Sequence, residues 1–466
     1  MKKCFEEVLS KEVFRVISQV ADEMGLETYL IGGFVRDILL GRKTKDIDVV
    51  CVGNGIEFAT AVSKRMRGSK VALFKTYGTA QVKWGRTEVE FVGARKESYH
   101  LDSRNPEVVE GTLEDDQNRR DFTINAMAVC LNKERYGEFV DPFKGTRDLE
   151  EGWIRTPCNP EKTFSDDPLR MLRAIRFATQ LNFQIEEKTF MGIRNMASRI
   201  QIITKERIND ELNKIMLSRY PSIGFVLLDE CGLLEIIFPE LKALQGVEVV
   251  KGKGHKDVFY HTLQVVDNIS KSSEDLWLRW AALLHDIAKP QCKKWENNQG
   301  WTFHNHNFIG GKMVERIFRK MKLPLNEKMK YVQKLVELHM QPIVIVSEEV
   351  TDSAVRRLLF NAGEDLEDLM LLCEADITSR NRDKVLKFKQ NFQKVREKLK
   401  ELEERDRIRN FQPPIRGEEI METFNLPPCR EVGELKQKIK NAILDGVIPN
   451  DREEAWKYLY SIKGEK

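Results

Sequence analysis

The sequence has no closely paired cysteines, no long apolar run and no strong excess of either charge. Eight cysteines are scattered without a C-x-x-C pair. That pattern reads as reduced, mostly packed thiols in an intracellular protein. No run of about 18 apolar residues exists, so no membrane-spanning helix is expected. The first residues, Met1-Lys2-Lys3-Cys4-Phe5-Glu6-Glu7, lack the apolar core of a signal peptide, and a cytoplasmic location is expected. There is no fixed-period repeat and no low-complexity linker. The net charge is only +3, from 76 basic and 73 acidic residues. It does not by itself announce nucleic acid, so any RNA-binding face must be a local concentration of Lys and Arg. What is present is ample: 466 residues, 41% hydrophobic and 32% charged. That is enough for two or more domains with real cores and a well-solvated exterior.

The chain is organised around Tyr29-Leu30-Ile31-Gly32-Gly33-Phe34-Val35-Arg36-Asp37 and the run Lys45-Asp46-Ile47-Asp48-Val49-Val50. An apolar run breaks at two glycines, a short helical pattern from Val35 to Leu40 stops at Gly41, and a second apolar run follows. Strand residues two apart share a face, so Asp46 and Asp48 aim two carboxylates at one spot. Such a pair binds hard divalent cations such as magnesium. The Gly32-Gly33 turn lets backbone amides approach phosphate oxygens, and the helix start adds its dipole. Asp-x-Asp alone also reads as a polar strand edge. Gly32, Gly33 and Arg36 just upstream turn the balance towards a metal-nucleotide site.

These residues resemble those of the bacterial-type (class II) tRNA nucleotidyltransferases and their poly(A) polymerase relatives, in the polymerase-beta-like superfamily. The resemblance implies an α+β head with a small mixed sheet, followed by all-α neck, HD and tail domains. The remaining pattern agrees. Val8, Val13, Val16, Ile17 and Val20 predict an amphipathic helix before Tyr29, and Gly55 to Arg67 predicts another. Lys70–Phe74, Thr79–Trp84 and Glu88–Val92 predict strands, with a turn at Gly85-Arg86. Glu90 is either a third carboxylate supporting the metals or a solvent-facing strand residue. Arg95 to Glu110 reads as a polar loop. The resemblance makes it the flexible loop that helps the switch from CTP to ATP, and composition alone allows a plain connection. Thr112 with Asp115 starts a helix expected to carry Arg119-Arg120-Asp121-Phe122-Thr123-Ile124-Asn125-Ala126. The resemblance assigns Arg120 first, then Arg119, Asp121 and Asn125, to the ribose and triphosphate of an incoming nucleotide.

Ser165 to Phe177 predicts one helix with Ser165 as N-cap. Asp167, Arg170, Arg173 and Arg176, three apart, form a drifting polar stripe. A charged, solvated helix face is one reading. A base reader is the other, because a carboxylate only accepts hydrogen bonds and a guanidinium only donates them. Cytosine and adenine offer an amine beside a ring acceptor, whereas uracil and guanine present the reverse. The resemblance assigns base selection to Asp167 and Arg170, and phosphate contact to Arg173 and Arg176. The family's usual leading Glu is Asp166 here. The helix from Lys205, with Glu206, Arg207 and Glu211, reads as structural.

Five of the seven histidines fall between His261 and His339. His261, the pair His285-Asp286 and the distant Asp376 resemble the HD phosphohydrolase signature, with His306 and His339 as the extra histidines of two-metal members. Imidazole and carboxylate together suit a transition metal that activates water. A degenerate structural HD fold is the alternative. Lys384 to Arg409 predicts a long charged helix, and the resemblance makes the tail a cradle for tRNA phosphates.

The expected layout is a nucleotidyltransferase head over 1–150, a helical neck over 151–245, an HD domain over 246–390 and a tail over 391–466. The function the resemblance implies is CCA addition to tRNA from CTP and ATP, with Asp46 and Asp48 holding magnesium. Alternatives are a poly(A) polymerase, an enzyme adding only CC or only A, and an HD phosphohydrolase with an RNA-binding head. No membrane partner is expected.

Overall fold

The alternating runs assemble into one seven-stranded mixed sheet. In the computed structural model the described residues are 2–44, 46–75, 78–98, 107–250, 253–254, 257–297, 299–347, 351–379, 381–406 and 412–464. The chain divides into two compact units, Met1–Pro239 and Glu240–Lys466.

In the first unit the strands are β1 Thr28–Ile31, β2 Asp46–Cys51, β3 Lys70–Phe74, β4 Thr79–Trp84, β5 Thr87–Gly93, β6 Arg95–Ser98, β7 Glu107–Glu110, β8 Ala128–Cys130 and β9 Phe139–Val140. The sheet order is β3-β4-β5-β2-β1-β8-β9. Among the described residues of this sheet only β2 and β5 run parallel, and its other pairs are antiparallel; Trp153–Ile154 and Gln184–Ile185 form a separate parallel pair. The pairing of β2 with β5 is the key to the site, because it sets Asp46 beside Glu88 and Asp48 beside Glu90. The alternate residues Ile47, Val49, Val89 and Phe91 are buried. Phe91 meets Phe58 of the helix Gly55–Arg65 edge to face at 5.4 Å. Tyr29, Ile31, Val50 and Ala128 form a second apolar cluster on β1, β2 and β8.

Several expectations need correction. The first helix is two, Lys2–Leu9 and Glu12–Met24, because Lys11 is extended and Ser10 Oγ bonds back to the Glu7 carbonyl at 2.7 Å. The expected loop from Arg95 to Glu110 contains an antiparallel ribbon, β6 on β7, with residues 99–106 outside the described ones. The helix begun at Thr112 has its full capping box but ends at Asn118, so the Arg-Arg-Asp-Phe-Thr-Ile-Asn motif lies beyond it. There Phe122 is extended and Thr123–Asn125 is a single tight turn leading into β8. The expected helix from Ser165 is also two, Pro160–Asp166 and Leu169–Leu181. Pro168 excludes its predecessor from the helical region, and Asp167 is extended at φ −136°, ψ 100°.

The helices of the second unit include Val258–Ser270, Leu276–Leu284, His306–Met321, Glu327–Leu338 and Leu366–Ala375, packed on one another. Trp280 and Phe318 meet at 6.4 Å in this buried core. The charged tail helix runs Arg382–Asp406 and packs on Asp352–Ala362. Three short helices, Gly417–Phe424, Arg430–Leu444 and Arg452–Gly464, follow.

Gly55 is where β5 and the following layer come closest. A Cβ there would lie 2.6 Å from the Gly93 nitrogen and 2.8 Å from the Val92 carbonyl carbon. Neither backbone atom can step aside, so Gly55→Ala is expected to cost about 1–3 kcal/mol by overpacking. Thermal melting should show the loss, and an unchanged midpoint would contradict this packing.

Candidate active cleft and candidate metal centre

Asp48 sits half-buried on β2, and Asp46 is exposed at the start of the same strand. Burial, with Glu90 and Asp46 as like charges, pushes the Asp48 carboxyl up to about 6, while the Arg120 guanidinium pulls it down. Asp48 and Glu90, side by side in register across β2 and β5, offer hard oxygen donors of the kind a divalent cation takes. Gly32 shapes the floor beside them. Its φ is +81°, and a Cβ there would lie 2.9 Å from Arg120 Nη1 and 3.2 Å from Asp48 Oδ2. A side chain would therefore fill the space between the acid and the guanidinium.

The two arginines beyond the short helix Leu113–Asn118 share one buried acid. Asp116 ion-pairs with Arg119, and takes Arg120 through Nε at 3.0 Å and Nη2 at 2.9 Å. Asp121 gathers the next set. It accepts from the Phe122 nitrogen at 2.9 Å, Asn125 Nδ2 at 2.9 Å and Arg173 Nε at 2.8 Å. Burial opposes its ionisation, but Arg173 and Asn125 win and hold it at about 2. Asn125 Oδ1 in turn accepts from Arg36 Nη1 at 2.7 Å. Arg36 also bonds Asp37 at 2.9 Å and lies over the Phe177 ring at 4.8 Å.

A cleft of about 340 Å³ is lined by Asp48, Glu90, Arg119, Arg120, Asp121, Asp167, Arg170, Arg173 and Arg207, among others. It thus brings together Asp48, Glu90, the two motif arginines and the Asp167/Arg170 pair. Asp46, expected to share the metal, and Gly32, Gly33, Arg36, Asn125 and Arg176, expected to contact nucleotide, are not on its wall. Arg176 is instead spent on Glu211 at 2.7 Å and on the Phe177 ring at 4.0 Å. Asp167 stands in the break between helices. Its Oδ1 accepts from the Leu169 nitrogen at 3.1 Å, and its Oδ2 lies 3.6 Å from Arg207 Nη2. Arg207, read from sequence as structural, is therefore a cleft residue. Its signal is weak, because one Arg on the charged helix Lys205–Met216 looks like any solvated cation.

In the second unit, His261, His285, Asp286, His306, His339 and Asp376 converge as expected. His261 Nε2 is 2.8 Å from Asp376 Oδ1 and 3.6 Å from Asp286 Oδ2. His306 Nε2 is 3.4 Å from Asp286 Oδ1 and 3.3 Å from His339 Nε2. Two three-residue groups share Asp286: His261 with His285, and His306 with His339. Three of the rings are fixed by carbonyls. Nδ1 of His285, His306 and His339 lies 2.7 Å from the carbonyls of Ala282, Phe303 and Val336. A carbonyl only accepts, so each Nδ1 carries the proton and each Nε2 of a neutral ring presents its lone pair to the cluster. His285 Nε2 is buried without a hydrogen-bond partner among the described residues. Burial lowers His339 to about 4, His285 beside it adding to the effect, and burial lowers His306 as well. Burial also opposes charge on His285, yet Asp286 and Asp376 raise it to about 10. Ring nitrogens and two carboxylates converging in one largely buried cluster fit a divalent transition metal.

The tail's cations are partly committed. Arg396 holds Glu374 at 2.9 Å, and Lys398 and Arg405 hold Asp352 at 3.1 and 2.8 Å.

Three family models match this chain: the poly A polymerase head domain over 28–155, a probable RNA and SrmB-binding site of polymerase A over 182–245, and the HD domain over 258–381. The chain is 30% identical over 436 residues to an A-adding tRNA nucleotidyltransferase of Deinococcus radiodurans, covering 91% of this chain and 93% of that protein. It is 33% identical over 366 residues to a multifunctional CCA protein of Nitrosococcus oceani, covering 76% and 86%. Among solved structures, a CCA-adding enzyme with ATP superposes with a TM-score of 0.64 at 25% identity, covering 99% of this chain and 98% of that one. A tRNA nucleotidyltransferase with a primer tRNA and an incoming ATP analogue gives 0.57 at 26% identity, covering 82% and 98%.

The raised Asp48 carboxyl has a thermodynamic consequence with a definite sign. The folded state binds its proton more tightly than the unfolded chain does, so stability falls as pH rises from 3.8 towards 6. Full ionisation costs about 3 kcal/mol at most, and less where solvent screens the half-buried group. Asp48→Asn should therefore melt higher than the parent above pH 6 in metal-free buffer, with the gain vanishing below pH 4. Magnesium should raise the parent's midpoint more than the variant's. Melting curves against pH that coincide would contradict the assignment.

Proposed function

The chain belongs to the family of tRNA nucleotidyltransferases and poly(A) polymerases, and we propose that this nucleotidyltransferase is a CCA-adding enzyme. It extends the 3′ end of tRNA with C, C and A from CTP and ATP. The observation that carries this reading is a shared cleft wall: Asp48 and Glu90 line the same cleft as Asp167 and Arg170. One end does the chemistry and the other chooses the base.

The 3′-hydroxyl of the tRNA forms a bond to the α-phosphorus of the nucleotide. The bond from that phosphorus to the bridging oxygen of the β-phosphate breaks, pyrophosphate leaves, and the hydroxyl proton is lost. Asp46 and Asp48, with Glu90 beside them, would hold magnesium, which activates the hydroxyl and neutralises charge on the leaving group. Arg119 and Arg120 receive the triphosphate, and Arg173, held by Asp121, presents its guanidinium to the same cleft. Asp167 Oδ2 accepts from the exocyclic amine of cytosine or adenine while Arg170 donates to the adjacent ring nitrogen. Uracil and guanine would place a carbonyl against the carboxylate and an N–H against the guanidinium. Neither protein group would then find its partner on the base, and a mismatch of this kind at a hydrogen-bonding site is an effective way to reject a close analogue.

A tRNA lacking its CCA end, offered each nucleotide singly, tests this. We expect C from CTP alone and A only once CC is in place. Incorporation of A onto a CC end without any C addition would make the chain an A-adding enzyme, as the Deinococcus radiodurans relative is named. A-tailing without CTP would make it a poly(A) polymerase. Arg170→Ala should erode preference for CTP and ATP over UTP and GTP by about 100-fold or more. Unchanged selectivity would remove the protein-template idea.

A second activity is favoured by the imidazoles that converge on Asp286. His261, His285, Asp286 and Asp376, with His306 and His339, would hold a divalent transition metal that supplies activated water to a phosphate ester. The chemistry suits removal of phosphate, or opening of a 2′,3′-cyclic phosphate, at a damaged tRNA end. Metal-dependent phosphate release lost in Asp286→Ala and retained in Asp48→Ala is the expected result. Loss in both, or in neither, would contradict a separate hydrolytic centre.

A further inference from the structure

We propose that Asp116 is a positioning residue for nucleotidyl transfer, setting Arg119 and Arg120 on the incoming triphosphate. The inference rests on the nucleotidyl-transfer reading of the cleft and adds a residue to it.

Asp116 has no exposed surface, so it meets neither nucleotide nor solvent. Its two oxygens are divided between two guanidiniums. Oδ1 takes Arg119, and Oδ2 takes both Nε and Nη2 of Arg120. Arg119 and Arg120 are neighbours in sequence at the end of a six-residue helix, where consecutive side chains ordinarily splay apart. One buried acid three and four residues earlier brings them to one wall. The division also decides which edge of Arg120 is left over. With Nε and Nη2 engaged, Nη1 is the nitrogen that borders the space above Gly32 and beside Asp48, held there by donating to the Asn125 carbonyl at 3.4 Å.

Two consequences follow. An arginine already held in place gives up its rotamer freedom when the protein folds, so nucleotide binding does not have to supply that ordering. Asp116 does not cancel the charge of the pair either, since one carboxylate stands against two guanidiniums. Charge alone and position therefore make opposite forecasts. Removing the Asp116 charge makes the wall more positive, which by electrostatics should tighten nucleotide binding. If orientation dominates, binding weakens instead.

The test is the affinity of the full chain for Mg·ATP and Mg·CTP by calorimetry, with KM and kcat for addition to tRNA beside it. In Asp116→Asn we expect both nucleotides to bind about tenfold more weakly, which corresponds to about 1.4 kcal/mol. KM should rise in parallel, kcat should change less, and preference for CTP over UTP should stay at the parent value because the base reader is separate. Asp116→Glu keeps the charge and displaces the arginines, so it should show the same direction. Its use keeps the test open should the Asn variant not fold. In an Arg119→Ala/Arg120→Ala background, substitution of Asp116 should cost nothing further. Tighter or unchanged affinity in a variant that melts with the parent would overturn the proposal. So would an equal loss in the background lacking both arginines, since that would mark a structural role only. If the parent transfers no nucleotide, the proposed function falls, whereas the binding isotherms still decide what Asp116 does.

Discussion

The first unit depends on holding five arginines beside four acids in one cleft without letting them collapse onto each other. Asp48, Glu90, Asp121 and Asp167 face Arg119, Arg120, Arg170, Arg173 and Arg207 across about 340 Å³. A buried charge without a partner is very costly, so each cation needs an anchor that still leaves an edge free. Asp116 anchors Arg119 and Arg120, Asp121 anchors Arg173, and Arg207 lies 3.6 Å from Asp167. Behind them Phe177 offers one ring to three guanidiniums, at 4.8 Å from Arg36, 5.5 Å from Arg173 and 4.0 Å from Arg176. The aromatic face offsets part of the repulsion among them. Gly32 keeps the remaining gap open by having no side chain.

The second unit solves a related problem with the opposite chemistry. Four imidazoles and two carboxylates meet in a largely buried space, and backbone carbonyls assign the proton on three of the rings. The same carbonyls leave the facing nitrogen of each ring, when the ring is neutral, with the lone pair a metal would need. The cost is visible in His339, which burial holds at about 4, and in His285, which its acids hold at about 10.

Much of both sites is legible in the residues alone. Alternation identifies β2 to β5, and two carboxylates at i and i+2 must share a face once the strand is accepted. The six residues of the His/Asp cluster are legible through the resemblance to the HD signature, since only the adjacent His285-Asp286 is chemically conspicuous by itself. The failures have specific causes. Periodicity carries no information about where a helix stops, so the pattern extends Arg119 to Asn125 along a helix that ends at Asn118. Pro168 sits inside a pattern that otherwise reads as helix, and its steric effect falls on Asp167, one residue earlier. The polar run from Arg95 hides a ribbon, because exposed strands need not alternate.

Spacing along the chain is enough to say which groups exist and which local faces they share: acids two apart on a strand, arginines three apart on a helix, and a glycine pair at a turn. Local rules suffice there, since a backbone of known period dictates direction. Which charges are free and which are used is a matter of tertiary contact. Arg36 and Arg176 look as available as Arg170 in the sequence, yet Asn125 and Glu211 occupy them. Arg207 looks like surface, yet it stands 3.6 Å from the Asp167 carboxylate. Asp116 looks like one more acid in a polar helix, yet it is buried under two cleft arginines. Ion pairing acts through space over a few ångströms, so it is settled by neighbours that lie tens of residues away in sequence as well as by those next door.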